Sequence, residues 1–348
     1  ITYTDPTSPP DRERLTVRYD DGTSDEIPRV RIDPNIGEDA QYPIDRNVYK
    51  ATHDFPGPGT YTIRMQDPNR VADIENVRNS VNTEFYIESE LKIPAEALGN
   101  NSSVELLQPP IDYAETGQVF VHYPNAYDPD GDSIAYSFTT PRRAKNEPVS
   151  GYYLPYAENN FSIDEVTGRV EWDYPDSTGI FNIAIQVEEF RNGRKIGEVV
   201  RDMQIIVTEG ENVRPDLIDF KDTCIVAGSD KSLSIPVKAF DTTQRQVPSP
   251  SRQQTTLTAT GGPFEVANNK AVFREQTSSF QVNSRFTWDV TCNHIKKFPY
   301  QVVFKARDDH PDDQFNQLAD LKNLRIKVIG PEPENLTADP KPKGIDLK

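Results

Sequence analysis

The stretch FSIDEVTGRVEWDYPDSTGIFNIAIQVEEF, Phe161–Phe190, decides the fold. In its last third Phe181, Ile183, Ile185 and Val187 alternate with mostly polar neighbours. A period of two places one set on one face of a β-strand. Upstream, EVTG is turn chemistry between two short strands, the second of which carries Trp172 and runs into a proline-marked loop. Downstream, RNG at Arg191–Gly193 turns the chain back into EVVRDMQIIVTE, a second long strand. The layout recurs further along. SIPVKAFDTTQ parallels VFVHYPNAYDPDGD, RFTWDVTC parallels RVEWDYPD, and FPYQVVFKARDDH parallels IFNIAIQVEEF. A repeat of about 110 residues is far longer than a solenoid period and implies tandem domains, each of the size of a seven-strand sandwich.

An earlier unit has its own alternating strands, RLTVRY, NVYKATHDF, TYTIRMQ and TEFYIESELKI, punctuated by DDGT and FPGPGTY. Tyr61, Ile63 and Met65 share one face of the third. The boundaries follow: residues 1–93, then a break near Pro94–Ser103, residues 104–208, residues 213–330, and a tail, 331–348, that reads as a linker or the first strand of a following domain. The fold class expected is all-β, tandem sandwiches in a rod. Because the chain begins with Ile1 and ends in PEPENLTADPKPKGIDLK, it reads as an excised piece of a longer protein.

Composition narrows the function. A net charge of −17 and a pI near 4.7 argue against nucleic acid and anionic membrane surfaces, whereas divalent cations are natural partners. No apolar run reaches the length that spans a bilayer, so no direct membrane insertion is expected. Hydrophobic residues make up 35% and there are 29 prolines, a balance that favours loop-rich β structure over helical bundles.

VRYDDGTS and THDFPGPGTYTI together resemble polycystic-kidney-disease-type (PKD) Ig-like domains, although Asp20 stands where that family has its first glycine. DPDGDSIAYSF, FSIDEVTGRVEWD and GIFNIAIQVEE resemble cadherin-like bacterial Ig domains. The whole order is similar to large secreted or cell-surface proteins of Bacteroidota, many of them called gliding-motility-associated. That resemblance implies export through the type IX system and an address outside a Gram-negative cell, in the medium or on the outer-membrane surface. It implies partners among cell-surface proteins, secretion-machinery proteins or glycans.

Three aspartates, Asp128, Asp130 and Asp132, crowd the turn DPDGDS before a strand. Like charges so close raise one another's proton affinity unless a cation sits between them. Alternating carboxylates around a sharp glycine turn suit Ca²⁺. In the cadherin-like reading these three supply most of the ligands of a structural ion, with Asn125, Asp112 of the interdomain PPIDYA and Glu189 as additions. The alternative is an acidic surface turn. Asp241 stands at the equivalent place in the third unit without the other two carboxylates, so no second site is expected there.

Cys224 and Cys292 lack metal-ligand spacing, and an extracytoplasmic address favours a disulfide between them. Tyr152, Tyr153, Tyr156 and Phe161 form an aromatic loop able to stack on sugars or anchor a protein, or else to cover the sandwich core. Trp172 and Trp288, at matched repeat positions, read as core. Ser133, Ser177 and Thr242 match the Bacteroidota O-glycosylation pattern. No catalytic constellation is read: His53, His122, His294 and His310 fall in different units, and Glu188 and Glu189 point to opposite faces of a strand. The leading expectation is therefore a non-enzymatic structural or adhesin segment stiffened by calcium. A glycan- or protein-binding module using Tyr152–Phe161, and an accessory region of a larger secreted enzyme, are the alternatives.

Overall fold

A computed structural model describes residues 2–4, 12–34, 45–94, 100–210, 212–229, 232–241, 254–309, 317–332, 338–341 and 344–347. The chain is all-β, with one four-residue helix, α1 (Gly262–Glu265), among the described residues. Its tandem units are Ig-like.

The first unit supplies β1 (Thr2–Thr4), β2 (Arg14–Tyr19), β3 (Ser24–Asp33), β4 (Asp45–Tyr49), β5 (Gly59–Asp67) and β6 (Phe85–Ile93). Among the described residues these six are hydrogen-bonded in the order β1-β4-β3-β2-β5-β6, β3 pairing with β2 through its first half and with β4 through its second. β3 goes unread in the sequence because it carries Pro28, which cannot donate to a ladder. It is accommodated next to a register shift between Arg29 and Arg31. The expected strand NVYKATHDF stops at Tyr49. His53 then leaves the ladder, stacks on Tyr19 at 3.7 Å and bonds Asp21 at 2.6 Å, while Phe55 packs on Tyr61.

The second unit comprises β7 (Glu105–Leu106), β8 (Ile111–Glu115), β9 (Phe120–His122), β10 (Ala126–Tyr127), β11 (Ser133–Thr139), β12 (Arg142–Ala144), β13 (Glu147–Pro148), β14 (Phe161–Ile163), β15 (Val170–Trp172), β16 (Gly179–Arg191) and β17 (Arg194–Thr208). β11, β16, β17 and β8 form one face, and β14-β15-β9 with β10-β7 the other. Between them lies the core the alternation announces: Phe181, Ile183, Ile185 and Val187 are buried with Trp172, Tyr136, Met203 and Ile205. In the EVTG turn Asp164 accepts bonds from the Val166 and Thr167 amides, and Gly168 takes φ 72°, where a Cβ would lie 2.7 Å from the Tyr136 ring. Only glycine meets both demands.

The third unit repeats the plan with β18 (Asp216–Leu217), β19 (Thr223–Val226), β20 (Leu233–Phe240), β21 (Gln254–Gly261), β22 (Val272–Phe273), β23 (Gln276–Ser278), β24 (Gln281–Trp288), β25 (Tyr300–Asp309) and β26 (Ala319–Ile329). Sheets β19-β26-β25-β21-β23 and β18-β20-β24-β22 enclose a core around Trp288, Phe286 and Phe304. The parallel pair β8–β17 has its counterpart in β19–β26. Trp172 and Trp288, each 1% exposed, donate their indole N–H to the carbonyls of Tyr156 and Asn269. Last come β27 (Ala338–Lys341) and β28 (Gly344–Leu347), paired with each other.

The ladder does not stop at the first boundary. β6 pairs antiparallel with the start of β17, Leu91 opposite Gly197 and Ser89 opposite Val199, while the end of β17 pairs with β8. One sheet of twelve strands therefore runs through both units. The segment between β5 and β6 closes the joint from the side. The Glu75 amide donates to Ile180, the Asn76 side chain pairs with both backbone groups of Asn182, and Ile74 and Val77 pack on Val149 and Tyr152. Arg70 is sealed beneath it, ion-paired to Asp202 at 2.8 Å and donating to Asn182 and the Arg142 carbonyl.

Candidate functional site

The acidic turn sits between β10 and β11, facing the tip of the β16–β17 hairpin. Asp128 is buried; its Oδ1 accepts the Asp132 amide at 2.8 Å, and its Oδ2 has no hydrogen-bond partner. Burial, with the charges of Asp132 and Asp130 adding to it, raises this carboxyl's proton affinity. The cation that the crowding demands comes from the chain itself. Arg191, in the RNG turn, donates Nε to Asp132 at 3.0 Å and Nη2 to it at 2.6 Å, reaches Asp130 at 3.3 Å, and ties in the Asn100 carbonyl and Asn101 side chain. Asp130 also accepts the Ser102 amide at 2.6 Å. Glu189 lies fully buried beside them. It accepts from Asn101 at 2.8 Å and from the Val104 amide, and burial raises its proton affinity too. Its partner across the hairpin is Gly197, where any Cβ would lie 2.3 Å from the carboxylate.

Two of the six expected ligands belong elsewhere. Asp112 pairs across to Ile205, which faces Phe181, whereas Glu189 is eight residues further along β16. At about 3.3 Å per residue that separation is about 26 Å. Asp112 instead bonds His122 Nδ1 and Lys305 Nζ, each at 3.1 Å. Asn125 turns its amide to Thr260 at 2.9 Å, beside Gln108 on the same hydroxyl. Both residues thus hold the joint between the second and third units, whose apolar centre is Val121 and Tyr123 against Val303 and Leu321. Lys296 completes that joint. It packs against Gly131 of the acidic turn with its ammonium 3.8 Å from the Tyr300 ring centre and 5.3 Å from that of Tyr127, and burial lowers its pKa to about 8.

For calcium, the fit is therefore partial. Asp130 and Asp132 lie near enough to act on Asp128, Asp128 and Asp132 on Glu189, and the partnerless Asp128 oxygen suits a cation. With Arg191 in place, however, no three carboxylate, imidazole or thiol groups among the described residues are gathered to hold a metal.

The cysteine expectation is corrected. Cys224 on β19 and Cys292 in the short turn after β24 are free, exposed thiols. β19 joins the body through Ala227 to Ile329 and Gly228 to Val290, so it is Gly228, not Cys224, that meets the end of β24. Thiol titration of the native protein without reductant is expected to find two reactive groups; none would restore the disulfide.

The aromatic loop divides. Tyr152 points inward, its hydroxyl on the Asn182 carbonyl, and Phe161 stacks on Phe138 and meets Trp172 edge to face. Tyr153 and Tyr156 are exposed. They are joined by Tyr174, which sequence reasoning passed over inside the loop YPDSTG. Of the glycosylation candidates, Ser133 donates its hydroxyl to Phe190 within the sheet, Ser177 is exposed beside Asp176, and Thr242 lies outside the described residues. No helix among the described residues is long and apolar enough to cross a membrane.

The chain matches no protein-family model and no curated protein. Among solved structures it is similar to human CDH23 EC21-23 (14% identity, 68% of this chain and 73% of that one, TM-score 0.24). It is also similar to titin Ig tandem domains A164-A165 (9%, 65% and 97%, 0.19) and to the titin I-band fragment I67-I69 (12%, 90% and 87%, 0.19). The Ig-like assignment rests on the strand pairing described above.

Proposed function

We propose that this chain is a non-enzymatic, load-bearing segment of an exported bacterial surface protein, of the Bacteroidota gliding-motility-associated kind sent out by type IX secretion, and that it serves as a structural or adhesion module. The observation that carries this reading is how the units are joined. A shared sheet and the buried Arg70–Asp202 pair connect the first two, and an apolar centre flanked by Asp112–Lys305 connects the second to the third. A flexible linker transmits orientation poorly, whereas a hydrogen-bonded ladder fixes it. Small-angle scattering should therefore give one profile, described by a single conformer, from low to moderate salt. A profile that only an ensemble of freely jointed units fits would defeat the reading.

A second reading, calcium-linked stiffening, is favoured by the buried, partnerless Asp128 oxygen beside Glu189. Asp128, Asp130, Asp132 and Glu189 would hold the ion, which would supply the neutralisation that Arg191 now supplies in part. Ligand that binds only the folded state raises its melting temperature. Millimolar calcium is thus expected to raise the melting temperature of the second unit and a chelator to reverse the gain. Identical melting in both, with no heat of binding, would leave the turn to the chain's own cations, Arg191 on Asp130 and Asp132 and Lys296 beside Gly131.

A further inference from the structure

Tyr153, Tyr156 and Tyr174 expose 53%, 65% and 41% of their surfaces on two loops that run side by side. The loops are locked together. The Trp172 indole holds the Tyr156 carbonyl at 2.8 Å, the Asp173 amide donates to Asn160, Asn159 donates to Asp173 at 2.9 Å, and the Tyr153 hydroxyl is fixed on the Glu75 carbonyl. The third unit shows what this scaffold requires by itself. There the Trp288 indole makes the same bond to Asn269, yet the exposed residues of the loop are Ala267, Asn268, Asn269 and Lys270, none of them aromatic. Two residues beyond the tryptophan the third unit buries Val290, whereas the second unit presents Tyr174 outward with φ 52°. A left-handed backbone is costly for a bulky side chain, and such strain gathers at binding sites. The tyrosines are therefore not needed to build the sandwich.

We propose that Tyr153, Tyr156 and Tyr174 form a stacking platform for a neutral polysaccharide. Tyrosine rings offer flat apolar faces with a polar edge, which suit the faces and hydroxyls of a pyranose. The rim adds amide, hydroxyl and carboxylate groups from Glu158, Asn159, Asn160, Asp173 and Ser177, the complement of sugar hydroxyls. Glu158, Asp173 and Asp176, on a chain of net charge −17, repel uronates, sulfates and phosphates. A protein partner would want a continuous apolar patch, and the 153–160 loop adds only Leu154 as an exposed aliphatic side chain. Because the loops are fixed before binding, little ordering cost opposes association.

Affinity electrophoresis of the full chain through native gels containing soluble β-1,3-glucan, mannan, xylan or dextran, with polygalacturonate as the anionic control, tests the platform. At least one neutral polymer should retard the protein, Tyr156→Ala and Tyr174→Ala should each weaken retardation by about tenfold, and Tyr156→Phe should preserve it. No retardation by any neutral polymer, retardation by polygalacturonate alone, or full retardation of the double alanine variant would overturn the proposal. Melting temperatures establish that the variants fold. Should the double variant unfold, the near-ultraviolet difference spectrum of the wild-type tyrosines with the retarding polymer decides, and a flat spectrum counts against the platform. Failure here leaves the scattering test of the structural role untouched, since that test reads the joints and not the loops.

Discussion

Asp202→Ala is expected to destabilise the first two units by about 3–5 kcal/mol. The Arg70 and Asp202 side chains are 1% and 4% exposed, so the variant strands a guanidinium where water cannot reach it. Its other contacts, the Asn182 side chain, the Arg142 carbonyl and the Phe85 ring at 5.1 Å, are neutral and cannot replace the lost charge. The loss is concentrated at the joint, because Asp202 lies on β17 and Arg70 in the segment that crosses from the first unit. Urea denaturation should show it as a lower midpoint for the transition of the sheet that both units share. The double change Arg70→Met with Asp202→Leu is expected to recover much of the loss, since it removes both buried charges together. A cost under about 1 kcal/mol for Asp202→Ala would mean that the pair is not the clamp.

That clamp was invisible in the sequence for a definite reason. Arg70 stands in DPNRVADIENVRNS, a stretch with neither strand period nor motif, and its value comes from a carboxylate on a strand remote in the chain. Strands were legible wherever one face is buried: RLTVRY coincides with β2, and Phe181 to Val187 form the core as their alternation requires. What alternation cannot give is the partner of an edge. TEFYIESELKI reads as a strand from its own residues, but nothing in it says that Leu91 will face Gly197. The acidic turn was half legible in the same way. Three aspartates announce a cation, and the cation lies in RNG, whose sequence signals only a turn because the partner of the Arg191 charge is set by the folded hairpin. The cadherin-like resemblance adds Asp112 and Asn125 to the turn, whereas register sends one far along the sheet and the third unit claims both.

Asp112→Ala tests that second joint, and its effect should depend on pH. The carboxylate is 7% exposed on its side chain, bound to His122 and to Lys305, whose own side chain is 19% exposed. Removal leaves the His122 Nδ1 proton without an acceptor, on a ring whose Nε2 already has no partner, and leaves the Lys305 ammonium at the joint without its counter-charge. Truncating one member of a buried charged pair costs about 2–5 kcal/mol, and near-neutral pH should show a loss of that size. Although burial alone would raise the Asp112 carboxyl, Lys305 and His122 hold it down at about 2, below the ordinary 3.8. A carboxyl whose folded pKa is depressed contributes stability that is complete above about pH 4 and is lost as pH falls towards 2. The gap between wild type and variant should therefore narrow over that range. His122 acts at higher pH: burial lowers its pKa below 6.5, so the unfolded chain takes up a proton first and stability falls as pH drops through that value. Asp112 works against this shift, and its loss extends the fall to lower pH in the variant. Thermal melts of both proteins at pH 7, 4 and 2 separate the two groups. A difference that stays constant from pH 4 to pH 2 would show that Asp112 holds the third unit by packing and not by charge.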